Sequence, residues 1–269
     1  MTAPVVSSSP TTVPRPRRPV ERLRDGRLPN GRLSDGRLSD GTASPAGTGR
    51  AAAYQRVLHQ LVRRELRTLA DVAAWAPDGD RARTATVIRH SELISRVLLH
   101  HHGVERQSVW PALLRAVGPA DRADAEGAVS SWTAACTRID ARLRDLDTSA
   151  RQWCVAGTAP ARIAFVRACR ALADDVAAQT AEEERALVPL LDRWLPDGTW
   201  AVIARRARSR LPARQRLLVL GLALEDSCAG DRCRLLGGIP WTTRLAWRLY
   251  GARRYRAGVV RLRGAPPAC

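Results

Sequence analysis

The chain contains no lysine: all 44 of its basic residues are arginine. Arginine's planar fork suits carboxylate and phosphate partners. An all-arginine, alanine-rich chain also reflects a GC-rich coding sequence, so the formal charge of +18 does not by itself specify a polyanion partner. Its distribution is more informative. Residues 1–50 carry nine arginines against four acids and residues 196–269 fifteen against four, while residues 51–195 are nearly balanced at twenty against eighteen. Cysteine pairing signals are absent too. The six cysteines (136, 154, 169, 228, 233 and 269) form no CxxC pair and no secreted-domain framework, which points to a reduced, cytoplasmic setting. The first residues are polar and proline-broken, so no secretory leader is expected. The longest apolar run, Leu217 to Leu224, is far too short to span a bilayer. No segment alternates with period two long enough to be a strand, and no hydrolase triad, phosphate-cradling glycine loop or dinucleotide fingerprint is present. No established enzyme class is therefore indicated.

What is present is helical. Residues 1–50 are rich in Pro, Ser, Thr and Gly and carry a five-residue repeat (NGRLS, DGRLS, DGTAS), so they are expected to be a disordered tail. From residue 51 apolar side chains recur at threes and fours. The pattern predicts helices over about 51–75, 81–117 with a kink or a break near Pro111, 120–147 and 160–194. Four long helices with short connections predict an all-α, up-down-up-down four-helix bundle over 51–195. Shorter helices follow over about 199–209, 213–227, 231–236 and 240–263, read as an all-α basic extension, 196–269.

The chemistry-bearing residues are those that interrupt apolar stripes. Three of the five histidines fall in His100-His101-His102, followed closely by Glu105. His101 and Glu105 lie four residues apart on one helix face, in line with Ile94 and Leu98. His59 shares a stripe with Val62, Leu66 and Leu69. Glu183 lies among Leu172, Val176 and Leu187, with Gln179 one turn earlier. An unpartnered buried carboxylate is expensive, so two carboxylates and two imidazoles on inward faces require either a metal or a mutually satisfying polar network. Imidazole and carboxylate together on inner helix faces are how bundles hold iron or manganese. The flanking residues read differently. His90 is expected at the surface or in helix packing, His100 and His102 flank the candidate site, and Glu182 and Glu184 are expected to be solvated.

These motifs resemble the hemerythrin-like (HHE cation-binding) proteins. His59 in HQLVRREL looks like the family's first-helix ligand, His101 with Glu105 ahead of Trp110-Pro111 looks like its second-helix HxxxE pair, and QTAEEERALVPLL (179–191) looks like its fourth-helix motif. The tail, with Ile239-Pro240-Trp241 and Arg248-Leu249-Tyr250, is similar to the extension of larger bacterial members. The ligand set departs from the family: Gln179 stands at a histidine position, and no histidine lies on the third helix. The resemblance therefore implies a non-haem iron site, mononuclear or an incomplete di-iron centre, with His59, His101, Glu105 and Glu183 as metal ligands. Gln179 could add a weak oxygen ligand and Cys136 could approach from the third helix. The implied partners are a metal ion and a small ligand such as dioxygen, nitric oxide or peroxide, in a role of binding, sensing, detoxification or iron handling. A degenerate, metal-free bundle acting as a protein-interaction scaffold is the alternative. Binding of nucleic acid or an anionic membrane surface by the basic C-terminus is a third, less favoured reading.

Overall fold

A computed structural model describes residues 49–207 and 209–264. The expected disordered tail and its repeat lie outside the described residues as far as position 48. Every regular element among the described residues is helical.

Helix α1 (Arg50–Ala74) buries Leu58, Leu61, Val62, Leu66 and Leu69 along one stripe, the three-and-four spacing of an amphipathic helix. Helix α2 (Arg81–Val104) opens on Asp80, whose carboxylate accepts the Arg83 backbone N–H at 2.9 Å, an N-cap that satisfies one otherwise orphaned donor. The break expected near Pro111 begins about one turn earlier, at Glu105. Residues Glu105–Val109 form a π-turn, closed by the Trp110 N–H reaching the Glu105 carbonyl, before α3 (Trp110–Ala116) resumes. Pro111 sits at the start of α3 and has no N–H to offer the preceding turn, so the break precedes the proline. Helix α4 (Pro119–Ala156) runs nine residues beyond its expected end, burying Ser149, Ala150 and Trp153. It stops only at Gly157, which takes the left-handed conformation (φ 63°) that glycine adopts most readily. Helix α5 (Ala159–Trp194) follows at once and contains Pro189.

Helix α1 packs against α5 and α2, and α4 packs against α5 and α2. Two apolar clusters fill the space between them. One is built around Leu66, Leu69, Leu98 and Leu172, the other around Trp110, Leu113, Trp132 and Leu187. No helix among the described residues is long and apolar enough to cross a membrane.

The remaining elements are α6 (Asp197–Arg206), α7 (Ala213–Glu225), α8 (Ala229–Gly238), α9 (Trp241–Ala246), a second π-turn (Trp247–Gly251) and α10 (Ala252–Arg263). α6, α7, α8 and α10 all touch α1. α10 meets α7 at Gly221, where a Cβ would fall 2.4 Å from the Tyr255 ring, so a side chain cannot fit there. An ionic node fastens the extension to α1. Fully buried Glu65 accepts Arg64 Nε at 2.7 Å and Arg263 Nη2 at 2.6 Å on one oxygen, and faces His90 Nε2 at 2.7 Å on the other. Glu225 takes Arg263 and the Tyr255 hydroxyl, each at 2.6 Å. His90 thus belongs to the helix-packing class expected for it.

Candidate metal centre

Four segments deliver the four inward-facing residues: α1 carries His59, α2 carries His101, the π-turn carries Glu105 and α5 carries Glu183. All four are essentially sealed from solvent, at 0–2% exposure. Each offers a ligand atom, and these atoms all lie within 4.8 Å of one another. Ligands about 2.1 Å from a shared cation lie roughly 3–4.2 Å apart, so the cluster would contract by about half an ångström or more to enclose one ion. Among the described residues it is the one such grouping of His, Cys, Asp and Glu.

The hydrogen bonds leave one atom free on each carboxylate. Gln55 Nε2 donates to Glu105 Oε1 at 2.9 Å, and Gln179 Nε2 donates to Glu183 Oε1 at 2.7 Å. Both Oε2 atoms are buried with no hydrogen-bond partner, as is His59 Nε2. His59 Nε2 and Glu183 Oε2 lie 3.3 Å apart and His101 Nε2 and Glu105 Oε1 3.4 Å apart, but neither contact has hydrogen-bond geometry. The other nitrogen of His59 faces Glu184 Oε1 at 3.2 Å, and that carboxylate is held by Arg63 Nη2 at 2.7 Å. A carboxylate on Nδ1 fixes the tautomer that leaves the Nε2 lone pair toward the cluster. A buried polar atom without a partner costs about 1–3 kcal/mol. Three such atoms on residues whose ligand atoms lie this close together make a donor set that fits a cation.

The two imidazoles differ electrostatically: His101 is held neutral, whereas His59 must give up a proton before its Nε2 can ligate. Burial pulls the His59 pKa down, but the Glu183 and Glu184 carboxylates outweigh it and hold it up at about 9. His101 is pushed well below its ordinary value by burial and by the neighbouring histidines; its neutral ring can ligate. Glu105 is raised well above the carboxylate range, first by burial and then by the charge of Glu183. A bound cation would lower the cost of that like-charge pair, because opposite charge favours the ionised form.

A family model, the hemerythrin HHE cation-binding domain, matches residues 52–191, more than half of the chain. The chain belongs to the hemerythrin HHE cation-binding family. Comparison with curated proteins and with solved structures gave no match.

Around the HHE site several side chains take roles that their spacing does not reveal. Glu184, expected to be solvated, is half-buried and orients His59; Glu182 is exposed. Gln179 does not turn its oxygen to the cluster. Its amide nitrogen bridges Glu183 and, at 3.2 Å, the sulfur of buried Cys136, whose thiol is pushed up by burial. His102 faces Asp140 at 2.9 Å, and Asp140 also takes Arg106 at 3.0 Å. His100 turns away to the Ala207 carbonyl at 3.1 Å. Gln55 was not singled out at all. It sits four residues before His59, one turn along the same face, and that register is the only signal that could have found it.

Proposed function

We propose that residues 51–195 form an up-down-up-down bundle that holds a single non-haem iron between His59, His101, Glu105 and Glu183, with residues 196–269 docked on it as a helical extension. The protein acts in the cytoplasm, binding or sensing dioxygen, nitric oxide or peroxide, or handling iron. The observation that carries this reading is that three of the four clustered residues, whose ligand atoms all lie within 4.8 Å of one another, hold a partnerless buried atom: His59 Nε2, Glu105 Oε2 and Glu183 Oε2. Two imidazoles and two carboxylates are a donor set suited to non-haem iron. Bound there, iron would supply a redox-active Lewis acid with a coordination position open to a small ligand.

A single ion is favoured over two because the neighbouring candidates are engaged elsewhere. Cys136 and Gln179 face each other, and Asp140 serves His102 and Arg106. The chain's own contribution is positional. Gln55 and Gln179 each pin one oxygen of a carboxylate, Glu184 and Arg63 fix the His59 ring, and the surrounding leucines exclude water. The competing reading, a metal-free scaffold, requires the buried groups to satisfy one another, and the orphaned atoms weigh against it.

Metal content of the wild type and of His101→Ala and Glu183→Ala tests the assignment. About one metal per chain in the wild type and almost none in either variant is expected. Stoichiometric metal in both variants would rule out this ligand set.

A further inference from the structure

The last helical stretch buries one set of apolar side chains and leaves another uncovered. Tyr255, Val259 and Leu262 are buried against α7 and the bundle, which is the packing expected of an amphipathic helix. The second set is uncovered. Trp241, Leu245 and Leu249 follow at four-residue spacing and are 67%, 45% and 55% exposed, with Tyr250 at 67% beside them. Side chains at that spacing share one helix face. After Asp231 the chain has nine arginines and no acid. Of these, Arg244, Arg248, Arg253, Arg254, Arg256 and Arg261 are exposed, and none has an ion-pair partner among the described residues.

We infer that α9 and α10 form a peripheral docking surface for an anionic lipid bilayer. An arginine-rich helix with exposed tryptophan, tyrosine and leucine lies in the interface plane, its apolar side chains at the headgroup–acyl boundary and its guanidiniums among the phosphates. Each basic residue near an anionic leaflet contributes attraction that adds along the segment. The two other occupants fit less well. Nucleic acid would meet the arginines but has no use for the aliphatic Leu245 and Leu249, since backbone contacts are polar and stacking requires aromatic or guanidinium planes. A second copy packed face to face would bring arginines against arginines, which disfavours the pairing. The inference is independent of the metal assignment.

The test is co-sedimentation of the full chain with vesicles of phosphatidylcholine alone and with roughly one-third phosphatidylglycerol. It compares the wild type with Trp241→Ser/Leu245→Ser/Leu249→Ser and with Arg248→Ala/Arg253→Ala. These positions are exposed, so the variants should fold, and far-UV circular dichroism checks that they do. Binding to the anionic vesicles is expected to be at least about tenfold tighter than to neutral ones, and to fall about tenfold or more in each variant. It should also weaken at about 0.5 M salt. Equal binding to both vesicle types, or no loss in the triple variant, overturns the inference. So does duplex DNA binding that is tighter than vesicle binding and unaffected by the triple variant. A wild-type dimer that the triple variant makes monomeric, with no vesicle binding, assigns the face to a second copy instead and equally overturns it.

Discussion

Helix α1 carries two buried carboxylate clusters, and they are built in opposite ways. At Glu65 both oxygens are engaged: Arg64, Arg263 and His90 all lie within 2.7 Å. Two turns earlier, at His59, the histidine–carboxylate contacts are 3.3 and 3.4 Å, lack hydrogen-bond geometry and leave one oxygen of each carboxylate without a partner. The same chain thus shows what a self-satisfied His–Glu pair looks like and, beside it, a group of close ligand atoms left partly without partners. Charge complementarity closes the first cluster; the second is left open and able to hold a cation. The difference separates an ionic fastening from a binding site without reference to any relative.

The sharpest way to break this contrast is to remove the fastening. Glu65→Ala strands Arg64 and Arg263 at the interface with the extension, and removing one partner of a buried ion pair costs about 3–5 kcal/mol. Denaturant unfolding should show a loss of that size while metal per chain is unchanged. A parallel loss of metal would merge the two clusters.

The pH dependence should differ in sign. Glu65, although burial pushes it up, is held at about 2 by His90, Arg64 and Arg263, against an ordinary value of 4.5. Its stabilisation is complete above 4.5 and is lost as pH falls toward 2, an effect on the order of 3 kcal/mol that Glu65→Gln should remove. His59 is raised to about 9. In metal-free protein its contribution is complete below 6.5 and is lost as pH rises through 9. Because the ligating ring must be neutral, apparent metal affinity should rise across that same interval, and a flat profile would contradict the protonation assigned to His59.

Smaller effects sharpen the account. Glu184→Gln should weaken metal binding about 10–100-fold without abolishing it, as expected when the partner of a ligating histidine is lost. Glu182→Gln should change nothing, and competition titration compares the two. Smallest of all is the effect of Glu183→Gln on metal-free stability. Above about pH 9, where His59 is neutral, neutralising a buried charge with an orphaned oxygen should change it by under about 1 kcal/mol. A loss approaching that of Glu65→Ala would mean that Glu183 is a structural ion-pair member.

The helices, the departures from the family at Gln179 and on α4, and all four inward-facing His and Glu residues were legible in sequence, because apolar periodicity marks the buried face and a polar residue on that face stands out. What was not legible depends on tertiary approach. The π-turn at Glu105–Val109 leaves no mark in the stripe beyond a proline downstream. α4 outran its expected end because the polar stretch after Leu146 hides Ala150 and Trp153, which continue the buried face to the glycine stop. Glu184 read as solvated because it lies a third of a turn off the core line, yet its long side chain reaches back to His59. That Trp241, Leu245 and Leu249 stay uncovered is not legible either, since periodicity says which residues share a face but not what covers it.

The most direct test is elemental analysis of protein purified without oxygen from iron-supplied cells, together with its visible absorption spectrum. About one iron per chain, without the absorption of an oxo-bridged pair, is the expected result. No metal bound to a fully folded helical protein would contradict a cation-closed cluster and leave the buried His59–Glu183 group as a polar network within a scaffold.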